Sequence, residues 1–253
     1  FAHGISVTVE GYLLFTLFYQ IGFNFYFALV STLIYSGFLG FLIYRLVYLP
    51  LQKRKASNVI LLIASISVLV LFQNLILLIF GANVKDISFI ETKEGLEFLG
   101  IIITPLQIII IITSLVLFVL LFLFMNKTKL GRNMRAVSNN KELASIIGIN
   151  ERKISDISFM IGSFLGGIAG ILIALEQNIT PSMGTILIIK GFTGSVIGGI
   201  SSVPASVLGS YILGLAENFG IALLPSGYKD AISFVLLLIF LLLIWEVSNF
   251  FKY

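Results

Sequence analysis

Along the chain, apolar runs alternate with short polar breaks. Ile, Leu, Val and Phe dominate about 5–20, 25–47, 58–80, 105–125, 156–176, 185–200, 205–222 and 231–250. A helix needs roughly 17 to 25 residues to cross the hydrocarbon core of a bilayer, so the pattern predicts an all-α, polytopic transmembrane helix bundle of about eight spans. The sixth and seventh runs are short and are interrupted by "GGISSVP" at 198–204. That break predicts a half-helix or re-entrant element, which survives at membrane depth only where protein or a cavity surrounds it. No soluble domain fits between the runs, so 1–253 reads as a single transmembrane domain.

Composition agrees: 58% of residues are hydrophobic and only 11% charged, far from a soluble mixture. The net charge of +4 does not point to nucleic acid, because the basic residues sit in short loops beside apolar runs, where they set orientation. Eleven of the sixteen fall in two loops. One is 45–57, with Arg45, Lys53, Arg54 and Lys55; the other is 127–153, with Lys127, Lys129, Arg132, Arg135, Lys141, Arg152 and Lys153. The positive-inside rule places both in the cytoplasm. The loop between, 81–104, carries Lys85 and Lys93 against Asp86, Glu91, Glu94 and Glu97 and is expected outside. Without cysteine there is no disulfide framework or thiolate metal site. One histidine leaves too few ligands for a zinc centre.

The segment 127–155 is the one soluble-looking stretch. Within it 138–148 predicts a short amphipathic helix, capped by Ser138 or Asn139, with Glu142 in its first turn and Leu143, Ile146 and Ile147 as an apolar stripe. Gly148 is placed to end it. Such a helix can lie on lipid headgroups, pack under its own bundle, or dock into another protein's groove.

Small residues recur one turn apart at Gly162, Gly166 and Gly170, at Gly194 and Gly198, and at Ser206, Ser210 and Gly214. That spacing lets helix backbones approach closely, within the chain or at a subunit interface or moving seam. Ionisable residues at membrane depth are costly and mark possible pathways. Glu10, Glu176, Lys190, Glu217 and Glu246 fall within or at the ends of the runs. Glu176 and Glu246 read as solvated ends, while Glu10 and Glu217 are candidates for interior hydrogen bonds. His3 and Gly4 precede a helix expected to begin near Ile5, where the imidazole would bond neighbouring backbone.

Glu142-Leu143-Ala144 followed by Gly148 matches the spacing of the E-A-A-x-x-x-G loop of ABC importer permeases. The neighbouring strings sharpen the match: "GRNMRAVSNNKELASIIGIN" with "FMIGSFLGGIAGIL", "FAHG" at 1–4, "YRLVYLPL" at 44–51, "LFQN" at 71–74, the run 191–218 and "YKDAISF" at 228–234. Together they resemble the branched-chain amino acid (leucine/isoleucine/valine) ABC transporter permease subunit family, from Phe1 to about residue 245. Leu143 departs from the second position of the E-A-A pattern, where alanine is usual.

The resemblance implies the ABC-importer permease type of fold in the inner membrane of a prokaryote, and a transport subunit rather than an enzyme. It further implies ATPase coupling through Arg132, Arg135, Glu142, Leu143, Ala144, Ile147 and Gly148, and a place near the pathway for His3, Gly4, Glu10 and Glu217. Arg132 and Arg135 would pair with acidic residues of the ATPase; headgroup contact is the alternative. The implied partners are a second homologous permease, two cytoplasmic ATPase subunits, an extracytoplasmic substrate-binding protein and membrane lipids. No cofactor is expected in this chain, which has no G-x-x-x-x-G-K-[ST] string to cradle phosphates; ATP and Mg would be used by the partners. Urea or short amides are the alternative cargo, and an ion-coupled secondary transporter the alternative class. Members of the family carry a further membrane segment before "FAHG", so the chain is expected to be truncated there.

Overall fold

The computed structural model describes residues 1–87, 96–98, 101–200, 202–223 and 225–250, with side chains left out at 96–98, 101–102, 226 and 243–250. Glu91, Lys93 and Glu94 lie outside the described residues, as do the side chains of Glu97 and Glu246. Eleven helices carry the described chain: α1 His3–Phe15, α2 Phe25–Ile43, α3 Leu49–Lys53, α4 Asn58–Phe80, α5 Pro105–Lys127, α6 Lys129–Asn139, α7 Lys141–Ile146, α8 Glu151–Glu176, α9 Met183–Gly198, α10 Val203–Leu223 and α11 Lys229–Phe250. The strands β1 Leu96–Phe98 and β2 Ile101–Ile103 pair antiparallel, with Leu96 opposite Ile103.

Every predicted apolar run is helical over most of its length, the run 185–200 ending its helix at Gly198. Five stretches are long and apolar enough to cross a membrane: Phe25–Lys53, Asn58–Phe80, Pro105–Lys127, Glu151–Glu176 and Val203–Leu223. The sixteen residues of α9 rise only about 24 Å at 1.5 Å each, short of the hydrocarbon core. Pro50 explains the change of winding after α2. It lacks an N–H and crowds the carbonyl four residues earlier, and the turn before it widens to a π-helix over Tyr44–Tyr48.

The chain forms two compact units, Phe1–Thr185 and Ile186–Tyr253. The first is built around α8, which packs on α1 and α2. A Cβ added at Gly170 would lie 2.7 Å from the Cα of Val7, and one at Gly162 would lie 2.9 Å from the His3 ring. On the neighbouring face of α8, a Cβ at Gly167 would lie 2.7 Å from Ser36 Cβ, and one at Gly40 of α2 would lie 2.6 Å from Ser163 Cβ. The Gly162/Gly166/Gly170 stripe is therefore an intrachain seam with α1, and its neighbouring face is a second seam with α2.

At one end of this unit the Phe159 ring sits 5.1 Å from Tyr44, 4.8 Å from Tyr48 and 5.2 Å from His3. At the other end, Lys85 and Ile179 exchange backbone hydrogen bonds of 3.1 and 2.7 Å. The outer faces of α4 and α5 stay exposed and almost wholly apolar, and α5 has no buried residue. Such faces belong against lipid.

In the second unit α10 meets the C-terminal half of α9 through the other small residues. Gly194 abuts Ser210, Gly198 abuts Ala205 and Ser206, and Gly209 abuts the backbone of Gly194 and Gly198. Gly214 continues the pattern in sequence but faces open space. The helix pair reverses at Gly199, whose φ of +105° suits only glycine.

Candidate functional site

The polar segment after α5 folds into a compact knob. Thr128 caps α6, its hydroxyl accepting the Gly131 N–H at 3.0 Å, and a Cβ at Gly131 would collide with the Met125 backbone. The next helix is shorter than 138–148, and its cap differs from both candidates. Ser138 and Asn139 finish α6, and Asn140, extended at φ −155° and ψ 109°, caps α7 by accepting the Leu143 N–H at 3.0 Å. Three cap-forming residues stand in a row, and only the position of the chain break selects among them.

The end of α7 is fixed as tightly. Gly148 has φ +84°, its N–H reaches Ser145 O at 3.0 Å, and the Ile149 N–H reaches Ala144 O at 3.0 Å. This is a Schellman cap, completed by packing of Ile149 on the cluster that holds Ala144. Ala144, 1% exposed, packs with Val137 of α6 and Ile154 of α8. Leu143, Ile146 and Ile147 stand at 60%, 77% and 73% exposure. The helix is thus anchored through one small residue and turns its apolar stripe outward. Arg132, Arg135 and Glu142 are exposed around it, and Arg135 donates to the Asn126 side chain.

Asp156 was not singled out in the sequence, and it organises this end of the unit. Arg45 grips it with two bonds, Nε to Oδ1 at 3.1 Å and Nη2 to Oδ2 at 2.8 Å, a bidentate geometry that Lys could not supply. The bond places the basic loop 45–57 and the basic segment 127–155 at the same end of the unit, away from Lys85.

The interior candidates separate into two surroundings. His3 lies within α1, which begins two residues earlier than Ile5. Its Nδ1 is 3.0 Å from Ser163 Oγ on α8, so the ring bonds across the seam rather than to neighbouring backbone. The Gly4 carbonyl faces Gly184, whose N–H donates to Thr8 Oγ1 at 3.0 Å. Glu10 is fully buried at the seam, its Cγ 3.2 Å from where a Gly167 Cβ would stand. Neither of its carboxylate oxygens, nor Ser6 Oγ, nor Tyr12 OH, has a hydrogen-bond partner among the described residues.

Glu217 is different. Lys190 Nζ lies 3.1 Å from its carboxylate and 2.9 Å from Asp230 Oδ1, and Ser233 donates to it. This network ties α9, α10 and α11 of the second unit together. Glu176 is exposed at the end of α8 and accepts from Gln107 at 3.2 Å. Among the described residues no group of three or more His, Asp or Glu could hold a metal ion.

Helices this apolar and exposed, with one polar knob, define a multi-pass helical membrane protein. The family described as "Branched-chain amino acid transport system / permease component" matches residues 1–241, and the chain belongs to it. The chain is 31% identical over 257 residues to the high-affinity branched-chain amino acid transport system permease protein BraD of Pseudomonas aeruginosa, covering 96% of this chain and 82% of that protein. It is 31% identical over 220 residues to the permease protein LivH of Escherichia coli, covering 84% of this chain and 70% of the relative. A third relative, the probable branched-chain amino acid transport permease protein LivH of Methanocaldococcus jannaschii, is 31% identical over 226 residues, covering 86% and 70%. No solved structure matches. Membership makes the chain a permease component of a transport system, not an enzyme.

Proposed function

We propose that the chain is the membrane-spanning permease subunit of an ATP-driven ABC importer for branched-chain or similar small apolar amino acids. In this reading 1–253 act as one permease domain in a prokaryotic plasma membrane, with loops 45–57 and 127–153 in the cytoplasm. It pairs with a second, related permease, receives cargo from an extracytoplasmic binding protein, and is driven by two cytoplasmic ATPase subunits that use ATP and Mg. The substrate reading rests on the relatives, which are branched-chain amino acid transport permeases by name.

The observation that carries the coupling step is the outward apolar stripe on α7. Burying a side chain of the size of Leu or Ile gains roughly 1.5–3 kcal/mol, so a helix exposing Leu143, Ile146 and Ile147 beside cations is built to dock. Ala144 and the Schellman cap make α7 stiff with respect to α6 and α8. A push on it therefore reaches the foot of α8 and, through Asp156 and Arg45, the foot of α2. ATP-driven closure of the partner would bias the bundle between inward-open and outward-open states through the different contacts the knob makes in each.

Ile146→Asp should reduce co-purification of the ATPase subunits at least tenfold while leaving the chain folded, because the side chain is exposed. Gly148→Pro, incompatible with φ +84°, should leave ATP hydrolysis running with little uptake. If both variants bind the ATPase and transport as the parent does, α7 is not the coupling element.

A further inference from the structure

Between α2 and α8 an apolar groove of about 570 Å³ opens on the outside of the first unit. Ile34, Gly37, Phe38 and Phe41 form one wall, and Met160 and Phe164 the other. It is not a packing fault at the α2–α8 seam, where Gly40 and Gly167 bring the helices into contact. It lies beside that seam, where Gly37 has its nearest foreign atom, Met160 O, 3.9 Å from an added Cβ. Ile34, Phe38 and Phe164 are exposed at 69%, 51% and 39%.

What closes the groove at one end is charge. Arg45 follows Phe41 by one turn, with its guanidinium 4.8 Å from that ring's centre. Asp156 precedes Met160 by one turn and Arg152 precedes Asp156 by another, which sets them on the same face of α8. Asp156 takes Nε and Nη2 of Arg45, leaving Nη1 without a hydrogen bond among the described residues, and half of the Arg45 side chain is exposed. Arg152 is exposed and makes no hydrogen bond or ion pair among the described residues. Counting Arg45 and Arg152 against Asp156 leaves one positive charge at this mouth.

The dimensions match a single leaflet. Ile34 and Arg45 are eleven residues apart, or about 16 Å along a helix at 1.5 Å per residue. Half of a hydrocarbon core about 30 Å thick is about 15 Å. An apolar trough one leaflet deep, ending in two guanidinium groups with one unbalanced positive charge, has the shape and charge of one lipid.

We propose that the α2–α8 groove is a binding site for one anionic glycerophospholipid, its acyl chain along Phe38 and Phe41 and its phosphodiester on Arg45 and Arg152. The ligand comes from the leaflet on the side of α6 and α7. The site thus sits over the Arg45–Asp156 clasp that joins the feet of α2 and α8, and a bound phosphate adds a second bridge between the two helices.

The test is native mass spectrometry on the complete transporter, extracted in detergent and stripped of lipid, with phosphatidylglycerol or phosphatidylcholine added back. The parent should retain one phosphatidylglycerol, with phosphatidylcholine retained severalfold less. Gly37→Leu, which fills the trough, and Arg152→Glu, which spares the Arg45–Asp156 bond, should each lower phosphatidylglycerol occupancy about tenfold. Lys129→Glu, the same charge change on α6, should leave it unchanged. Equal occupancy in Gly37→Leu, Arg152→Glu and the parent overturns the proposal, as does an equal loss in Lys129→Glu. Efficient crosslinking of Phe38→Cys to another polypeptide in native membranes also overturns it, because the groove would then be a subunit interface.

Discussion

The two units hold apolar helices together by different means, and their buried glutamates show the contrast. In Phe1–Thr185, α8 meets α1 and α2 through glycines and short hydroxyls, and Glu10 sits at that seam with no hydrogen-bond partner among the described residues. In Ile186–Tyr253, Glu217 closes a network in which Lys190 joins two carboxylates from different helices. Both are single acids within apolar runs, and residue type and depth do not distinguish them. What distinguishes them is whether another helix delivers a cation. At its buried acid the first unit relies on shape, and its Arg45–Asp156 ion pair lies at the foot of α2 and α8 with half of the Arg45 side chain exposed; the second unit places its charge pairing at the buried acid itself.

The largest expected effect comes from breaking shape in the first unit. Gly170→Leu drives a side chain into the Val7 backbone, which cannot rotate away, and overpacking at backbone contact belongs to the severe end of single substitutions. A loss of at least about 4 kcal/mol is expected, a large part of a typical total stability, and it is read as failure to accumulate folded protein in the membrane. Gly214→Ala in the second unit is the matched control. Its added methyl meets open space, so the unfolding midpoint in detergent should be unchanged or slightly raised. Equal damage from both would mean that helix glycines matter here for flexibility, not for closeness.

The charge network comes next. Removing both acids, Glu217→Gln with Asp230→Asn, leaves a partly buried Lys190 without a carboxylate, and the loss should fall below the roughly 3–5 kcal/mol of a fully buried orphaned charge. Glu217→Gln alone should cost less than half of that, because Asp230 remains 2.9 Å from Lys190. Adding Lys190→Met to the double variant should recover much of the loss. A triple variant no more stable than the double would show that Lys190 is solvated, and the contrast between the units would fall.

The eight apolar runs, the small-residue seams and the apolar stripe on α7, though not its outward orientation, are readable from the sequence, because lipid imposes long apolar periods and close backbones demand glycine. Four features are not. The start of α7 is not legible because Ser138, Asn139 and Asn140 are equivalent as caps until Asn140 turns extended. The partner of His3 lies 160 residues away, so nothing local could indicate Ser163. Arg45 counted only as one charge of a basic loop, and its bond to Asp156 appears only when α2 and α8 are side by side. Lys190 and Glu217 were both noted as ionisable, but a pair 27 residues apart on separate helices has no sequence period to join it.

The smallest expected effect tests the unpartnered half of the comparison. Glu10→Gln keeps the shape that fits against Gly167 and removes no hydrogen bond, since the carboxylate makes none among the described residues. A buried polar group costs stability when its partner is removed; one that starts without a partner has nothing to lose by an isosteric change. The unfolding midpoint should therefore correspond to a change within about 1 kcal/mol, against the clear loss expected for Glu217→Gln in the same assay. Uptake measured alongside gives the second reading: a stable Glu10→Gln protein that has lost transport would give Glu10 a role in the translocation cycle, with packing unaffected. A large stability loss would show that Glu10 is held by a bond in the membrane, and the two units would then differ less than their packing indicates.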